Sequence, residues 1–314
     1  MNKLILLTPF LLLMLMGIAG AATPSAIPSG IQYYVPINLT NSQSTATASP
    51  FQQMVNITES TYSSYIAYNN NLANFEYFYA NGTIIPSWIE SNSSGKLTTW
   101  VKTVSIPASS KITIYLGFAS KTTNLLNSSG TEGIGEAPQL SPTYAEYDDG
   151  ANVFTNYWNL AGTSLPSGLT IGETGGTYSV NNGLTITGGS GYEGIFSTSS
   201  INPQTTITDF YGYLTGTGNY NSQFGLYGNT SGARPQYFIW TPVADNYSLL
   251  TYDGTIGTQT TITTSGSQTS SSVWSMWAST TYAYASYNYG TAVSNNANFV
   301  KYDIVLPEVT IEPL

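Results

Sequence analysis

The sequence predicts an all-β protein of two β-sandwich domains, and three observations carry that prediction. Short runs rich in Tyr, Val, Ile, Phe and Trp alternate with turn residues, and no convincing amphipathic helix interrupts them. The length of 314 residues suits two domains of ordinary size. Between residues 126 and 144 the texture changes to Ser, Gly, Pro and Glu with little periodicity, as expected of a crossing between domains.

The elements follow in order. Lys3 is the only charge before an apolar run, Leu4 to Ile18, that ends in Ala19, Gly20, Ala21 and Ala22. A basic start, a short hydrophobic stretch and small residues at an A-x-A site predict a signal peptide over residues 1–22, cleaved near Ala21 or Ala22. The run is short for a spanning helix of about 20 residues. The competing expectation is an uncleaved anchor. No second stretch of spanning length follows, so the mature chain is expected to lack a transmembrane segment and to be extracellular or held on the cell surface.

The first domain is expected over residues 23–125. Ile37 and Leu39 share a face after Pro36, and Phe51 to Thr58 follows as a strand. Asn81-Gly82 is a tight-turn dipeptide, which predicts a hairpin from Phe75–Tyr79 and Thr83–Ile89. Leu97–Val104 and Lys111–Phe118 complete the set, while Ser60 to Asn74 offers at most one helical turn. A linker is expected over 126–143. From 144 to 314, short strands recur about every 8–12 residues, the spacing of a sandwich or jelly roll.

Composition narrows the chemistry. There is no Cys and no His, so disulfides, thiolate metal sites and the commonest general base are all absent. Charged residues are 7% of the chain, with 16 acids against 7 bases and a net charge of −9. That balance argues against nucleic acid, which requires clustered Lys and Arg. A fold with few ion pairs and no His has little to lose in acid, so stability down to pH about 2–4 is expected.

The first half resembles a family of uncharacterised extracellular domains of archaeal and bacterial surface proteins. The resembling stretches run from Tyr34 to Asn41, Pro50 to Met54 and Asn81 to Ser91. Others are Trp100-Val101-Lys102, Ser105 to Ala108, Ile114 to Phe118, Gly135 to Tyr144 and Tyr147 to Phe154. Together they cover most of residues 31–154. In that family the domain is commonly followed by a concanavalin-A-like jelly roll. Trp274-Ser275-Met276-Trp277 and Tyr282 to Gly290 are similar to the Trp-strand and Tyr hairpin of laminin-G-like jelly rolls. The resemblance implies surface display and brings no established reaction with it.

Glu146, Asp148 and Asp149 are the candidate acids. Paired carboxylates on one extended strand serve glycosidases, and residues 146 and 148 would share a face if extended. The third acid of such a strand is missing, since Gly150 to Val153 follow, and an Asp-Gly turn is the favoured reading. Asp245, Asp253 and Asp303 are oxygen ligands available to a structural calcium, though scattered without a loop signature. No other cofactor is expected.

Exposed Tyr and Trp stack on sugar rings, so Tyr227, Tyr237, Trp240, Tyr287 and Tyr289 are the candidate ligand contacts. The ladder Tyr282, Tyr284, Tyr287, Tyr289 changes parity midway. One pair then faces the core and the other outward, or a bulge restores register. Against this stands the reading that each aromatic is a core or cross-strand partner. Glycosylation sequons occur at Asn38, Asn56, Asn81, Asn92, Asn127, Asn229 and Asn246, with Asn81 disfavoured by its tight turn. The leading expectation is a non-catalytic module for polysaccharide or glycoprotein glycans or other surface proteins. A self-assembling envelope subunit is the alternative, and a glycoside hydrolase using Glu146 stands behind both.

Overall fold

A computed structural model describes residues 23–66, 74–126, 133–171, 176–187, 193–214, 220–228, 236–243, 246–252, 257–264, 266–267, 269–279, 281–296 and 305–313. The chain divides into two compact units, residues 1–159 and 160–314.

The first unit is a sandwich of two four-stranded sheets. Its strands are β1 (Ile31–Asn41), β2 (Phe51–Thr58), β3 (Phe75–Tyr79), β4 (Ile84–Ile85), β5 (Ser87–Ser93), β6 (Lys96–Thr103), β7 (Ser110–Ala119) and β8 (Ile134–Glu136). Two single turns of helix join them, α1 (Glu59–Tyr62) and α2 (Gly150–Val153). One sheet runs β1-β7-β3-β4 and the other β2-β6-β5-β8. The expected hairpin forms: Tyr77 pairs with Ile85 across a turn in which Gly82 takes φ 82°, a left-handed value open to glycine at no steric cost. Pro86 then breaks the run, and β5 leaves for the opposite sheet.

Alternation along these strands sends Phe75, Tyr77, Ile114, Leu116 and Phe118 inward from one sheet and Ile57, Ile89, Leu97 and Val101 from the other. The Tyr77 hydroxyl lies 2.7 Å from Thr99 Oγ1 and satisfies a polar tip inside this core. Burial raises the Tyr77 pKa and keeps it protonated.

The second unit has a seven-stranded sheet facing a four-stranded one. Its strands are β9 (Leu169–Ile171), β10 (Thr177–Val180), β11 (Leu184–Thr187), β12 (Glu193–Ser197), β13 (Thr208–Gly212), β14 (Tyr220–Gly228) and β15 (Gln236–Val243). Then come β16 (Asn246–Tyr252), β17 (Gly257–Thr263), β18 (Ser272–Ala278), β19 (Tyr282–Tyr287), β20 (Val293–Asn296) and β21 (Val305–Pro313). The large sheet runs β17-β16-β15-β14-β21-β12-β9, the small one β13-β18-β19-β20, and β10 and β11 form a separate hairpin. The all-β, double-sandwich expectation holds.

Trp274 anchors the second core. Tyr247 stacks on it at 4.3 Å, and its indole N–H donates to the Gly212 carbonyl at 3.1 Å. Phe224, Ile239 and Leu249 arrive from the large sheet, and Met276, Ala283 and Ala285 from the small one. Gly266 is small by necessity, since a Cβ on it would lie 2.3 Å from the Tyr247 ring, and one on Gly212 would press on Phe224 at 3.2 Å.

One boundary differs from expectation. Residues 126–143, read from the sequence as a linker, contain β8, which pairs in parallel with β5 inside the first sandwich. The first unit runs on to Asn159 rather than ending before 126. Gly135 misled the reading, since it is there for packing. A Cβ on it would sit 2.3 Å from the Asp149 Cβ and 2.6 Å from its backbone nitrogen.

Candidate functional site

The outward face of the four-stranded sheet is the candidate site. It is built by alternation along three strands. On β18, Trp274, Met276 and Ala278 face the core, so Val273, Ser275 and Trp277 face away. On β19, Ala283, Ala285 and Tyr287 pack inward, which turns Tyr282, Tyr284 and Ser286 outward. On β13, Phe210 stacks on Phe224 at 5.2 Å, leaving Asp209 and Tyr211 outside.

Register assembles these side chains into rows. Tyr211 pairs with Val273, Asp209 with Ser275, Ser275 with Ser286, and Trp277 with Tyr284. The Trp277 and Tyr284 rings stack at 5.4 Å with an interplanar angle of only 7°, and Tyr282 lies 6.3 Å beyond. Along the edge strand the exposed parity continues as Ile207, Asp209, Tyr211 and Tyr213, with Ile207 60%, Tyr211 57% and Tyr213 46% exposed. Chemically, the face offers flat apolar rings beside a polar row.

The ligand contacts expected from sequence fall elsewhere. Tyr287 packs against the core and tilts over Trp274 at 4.7 Å, so its ring is spent on packing and is corrected from ligand contact to core residue. Tyr289 is half-buried in the turn after β19, at φ 57°. On the large sheet, Tyr227 pairs with Gln236, Tyr237 with Leu226 and Trp240 with Gln223. The side chains of Tyr227, Tyr237 and Trp240 lie outside the described residues. So do Asn127, Asn229, the calcium candidates Asp245, Asp253 and Asp303, and the signal segment 1–22.

The aromatic face was missed because Tyr211 and Tyr213 were absorbed into an ordinary strand. The signal was present in Ile207-Thr208-Asp209-Phe210-Tyr211-Gly212-Tyr213, whose odd positions are exposed.

The acidic candidates resolve differently. Residues 144–147 form a turn, not a strand, so Glu146 and Asp148 do not line one extended face. Glu146 is exposed. Asp148 accepts from the Trp88 indole at 3.0 Å, the Gly150 N–H at 3.0 Å and the Asn159 amide at 2.6 Å. The Tyr157 hydroxyl sits 2.8 and 2.9 Å from its two oxygens. Burial and the Asp148 charge push the Tyr157 pKa up, so that hydroxyl remains a donor.

Around this carboxylate pack Trp88, Trp100, Phe154 and Tyr157, with Trp88 edge-on to Phe154 at 5.3 Å. Lys102 and Gln52 hold α2 through the carbonyls of Asn152 and Val153. Asp149 is buried beside Asp148, which raises its pKa to about 6 against the opposing pull of Lys102. Burial also raises Glu136, whose Oε1 has no hydrogen-bond partner. The region is a clamp that closes the first unit. Among the described residues, no three acidic side chains gather as a metal site.

Of the sequons, Asn38, Asn56, Asn81 and Asn92 are exposed, and Asn246 is half-buried. The Asn81 amide oxygen accepts the Thr83 N–H at 3.0 Å, tying it into its turn. No helix among the described residues is long and apolar enough to cross a membrane.

No family model matches the chain. A relative is "Uncharacterized protein 562" of Sulfolobus islandicus rod-shaped virus 1, 34% identical over 174 residues. The match spans 48% of this chain and only 29% of that protein. Two solved structures are similar in fold. One is a GlcNAcα1-4Gal-releasing endo-β-galactosidase from Clostridium perfringens, 14% identical, TM-score 0.37, covering 49% of this chain and 54% of that one. The other is porphyranase B from Zobellia galactanivorans, 11% identical, TM-score 0.37, covering 50% and 78%.

These neighbours correct one expectation. The chain was read as not an enzyme, and that exclusion is withdrawn, because the structures it is similar to are glycoside hydrolases.

Proposed function

We propose that the protein acts outside the cytoplasm as a glycan-binding protein, with the outward face of the small sheet in the second unit as its contact surface. The observation that carries this reading is the parallel Trp277–Tyr284 stack on a face where Tyr211 and Tyr282 are exposed. Monomeric proteins seldom leave such rings together on one face without a partner. A pyranose presents a flat C–H face that covers an aromatic ring, while its hydroxyls reach polar groups at the edge. The rings sit on the sheet, with Trp274, Met276, Ala283 and Ala285 locking the strands beneath them. A platform held in this way loses little entropy on binding.

The test is retention of the purified chain on a panel of polysaccharides and cell-wall preparations, with light scattering on the same sample. Product release from each retained glycan is followed in parallel. Saturable binding by a small species, lost in Trp277→Ala and Tyr211→Ala, supports the reading. Absence of binding, or binding unchanged in both variants, overturns it.

A further inference from the structure

The two edge strands of the first unit carry the same arrangement on their outer faces. β1 and β2 each stand at the end of a four-stranded sheet, and among the described residues no strand pairs with their open sides. On β1, Val35, Ile37 and Leu39 pack into the core, so alternation turns Asn38 and Thr40 outward. On β2, Val55 and Ile57 pack inward, which turns Asn56 and Thr58 outward. All four outward residues are exposed. Each pair is the Asn and the Thr of one glycosylation sequon.

The two asparagines are also held alike. Asn38 lies opposite Thr113 on β7, whose hydroxyl donates to the Asn38 Oδ1 at 2.8 Å. Asn56 lies opposite Thr98 on β6, whose hydroxyl donates to the Asn56 Oδ1 at 3.1 Å. In both, the neighbouring strand engages the carbonyl oxygen. Nδ2, the atom that takes a glycan, makes no hydrogen bond among the described residues. Geometry thus separates these sequons from others in a chain rich in Ser and Thr. Asn81 is tied into its turn, and Asn246 is half-buried with its Oδ1 enclosed.

Both sites lie on an edge. An open strand edge offers unpaired N–H and C=O groups to another chain, and proteins guard such edges with charge, proline or cover. β1 has Pro36 and no charged residue, and β2 has neither. A bulky, hydrated glycan on the outer face supplies the cover.

Resting only on the part of the proposed function that places the chain outside the cytoplasm, we infer that Asn38 and Asn56 are N-glycosylated and that their glycans keep β1 and β2 from pairing with a second copy of the chain. In the transfer, Nδ2 bonds to the anomeric carbon of an oligosaccharide carried on a lipid diphosphate. The sugar–phosphate bond breaks, the lipid diphosphate leaves with its electron pair, and the amide proton passes to a base of the host transferase.

The test is expression of the whole chain in a host that N-glycosylates exported proteins. Peptide and intact-mass spectrometry and light scattering are then applied to the exported product. Both sites are expected to be occupied and the product to be monodisperse. Thr40→Ala and Thr58→Ala each destroy a sequon while leaving its asparagine and cross-strand hydrogen bond in place, so each removes one glycan mass. Thr58→Ala leaves β2 unguarded, and its scattering mass is expected to rise about twofold or more with concentration. Thr40→Ala, still guarded by Pro36, rises less. Asn92→Gln leaves the size unchanged. The parent chain made in a bacterium without the transferase should behave as the Thr40→Ala/Thr58→Ala double variant does.

An exported chain unmodified at Asn38 and Asn56 overturns the inference and leaves the extracellular reading standing. A double variant as monodisperse as the parent overturns it as well, since the glycans would then guard nothing. A chain found only inside the cells, and unmodified, defeats both.

Discussion

Both units pair an aspartate with tryptophan and tyrosine, and the two pairings are opposites. In the first, Asp148 accepts hydrogen bonds from Trp88, Tyr157, Asn159 and the Gly150 backbone, and the surrounding rings pack on one another. In the second, Asp209 is exposed on a sheet face beside an exposed Tyr211 and a half-buried Trp277–Tyr284 stack. The residue types are the same, yet one cluster is committed to the fold and the other is open to a partner. What separates them is exposure: Trp88 is buried and Tyr157 half-buried against Asp148, while Tyr211 and Tyr282 are exposed. Each contrast below is an attempt to break that division.

The largest effect is expected at the closed cluster. Asp148→Ala strands three side-chain donors and one backbone N–H, and hydrogen bonds to a charged acceptor are the costly ones to lose. The first unit is expected to lose about 4 kcal/mol, against under about 0.5 kcal/mol for Asp209→Ala. Urea unfolding of both variants measures this. Equal losses would erase the distinction.

The tryptophans sharpen it. Trp88 is buried with its indole N–H engaged, so Trp88→Ala is expected to cost about 3 kcal/mol. Trp277 is half-buried on an open face, and its removal is expected to cost about 1 kcal/mol while abolishing glycan retention. A stability loss at Trp277 matching that at Trp88 would make it a structural residue. Next comes Gly135→Ala, where the added methyl meets the Asp149 backbone and the clamp must shift, at about 2 kcal/mol. The thermal midpoint of the first unit reports it.

How far the sequence reveals this division depends on the signal used. The hairpin at Asn81-Gly82 was legible because a turn dipeptide and two alternating runs agree. The strands were legible for the same reason. The clamp was not, because Gly135 and Pro138 read as flexibility when the glycine serves a close backbone approach. Nor was β8, at three residues too short to show a period. The parity break after Tyr284 was visible in sequence. Which pair faces outward was settled only by Ala283 and Ala285, whose small side chains leave room for Trp274 and Met276 in the core. On β13, adjacent Phe210 and Tyr211 gave no composition cue to inside and outside, and the stacking partner Phe224 lies 14 residues on in sequence.

The smallest expected effect is a pH dependence set by the closed cluster. Asp149 is buried beside Asp148, and its pKa stands at about 6 rather than 3.8. Between those values the folded chain holds a proton that the unfolded chain has released. Stability therefore falls as pH rises through about 6, and the group's full cost is present above it. From pH 5 to pH 7 the loss is expected to be about 1 kcal/mol. Glu136, also raised, adds to it in the same direction. Lys102 opposes the shift at Asp149, so Lys102→Met should steepen the dependence, and Asp149→Asn should flatten it. Denaturant midpoints at pH 5, 6 and 7 for the parent and these two variants decide the matter. A profile that rises with pH would mean that Lys102 outweighs burial and the Asp148 charge, and that the clamp depends on an ionised Asp149.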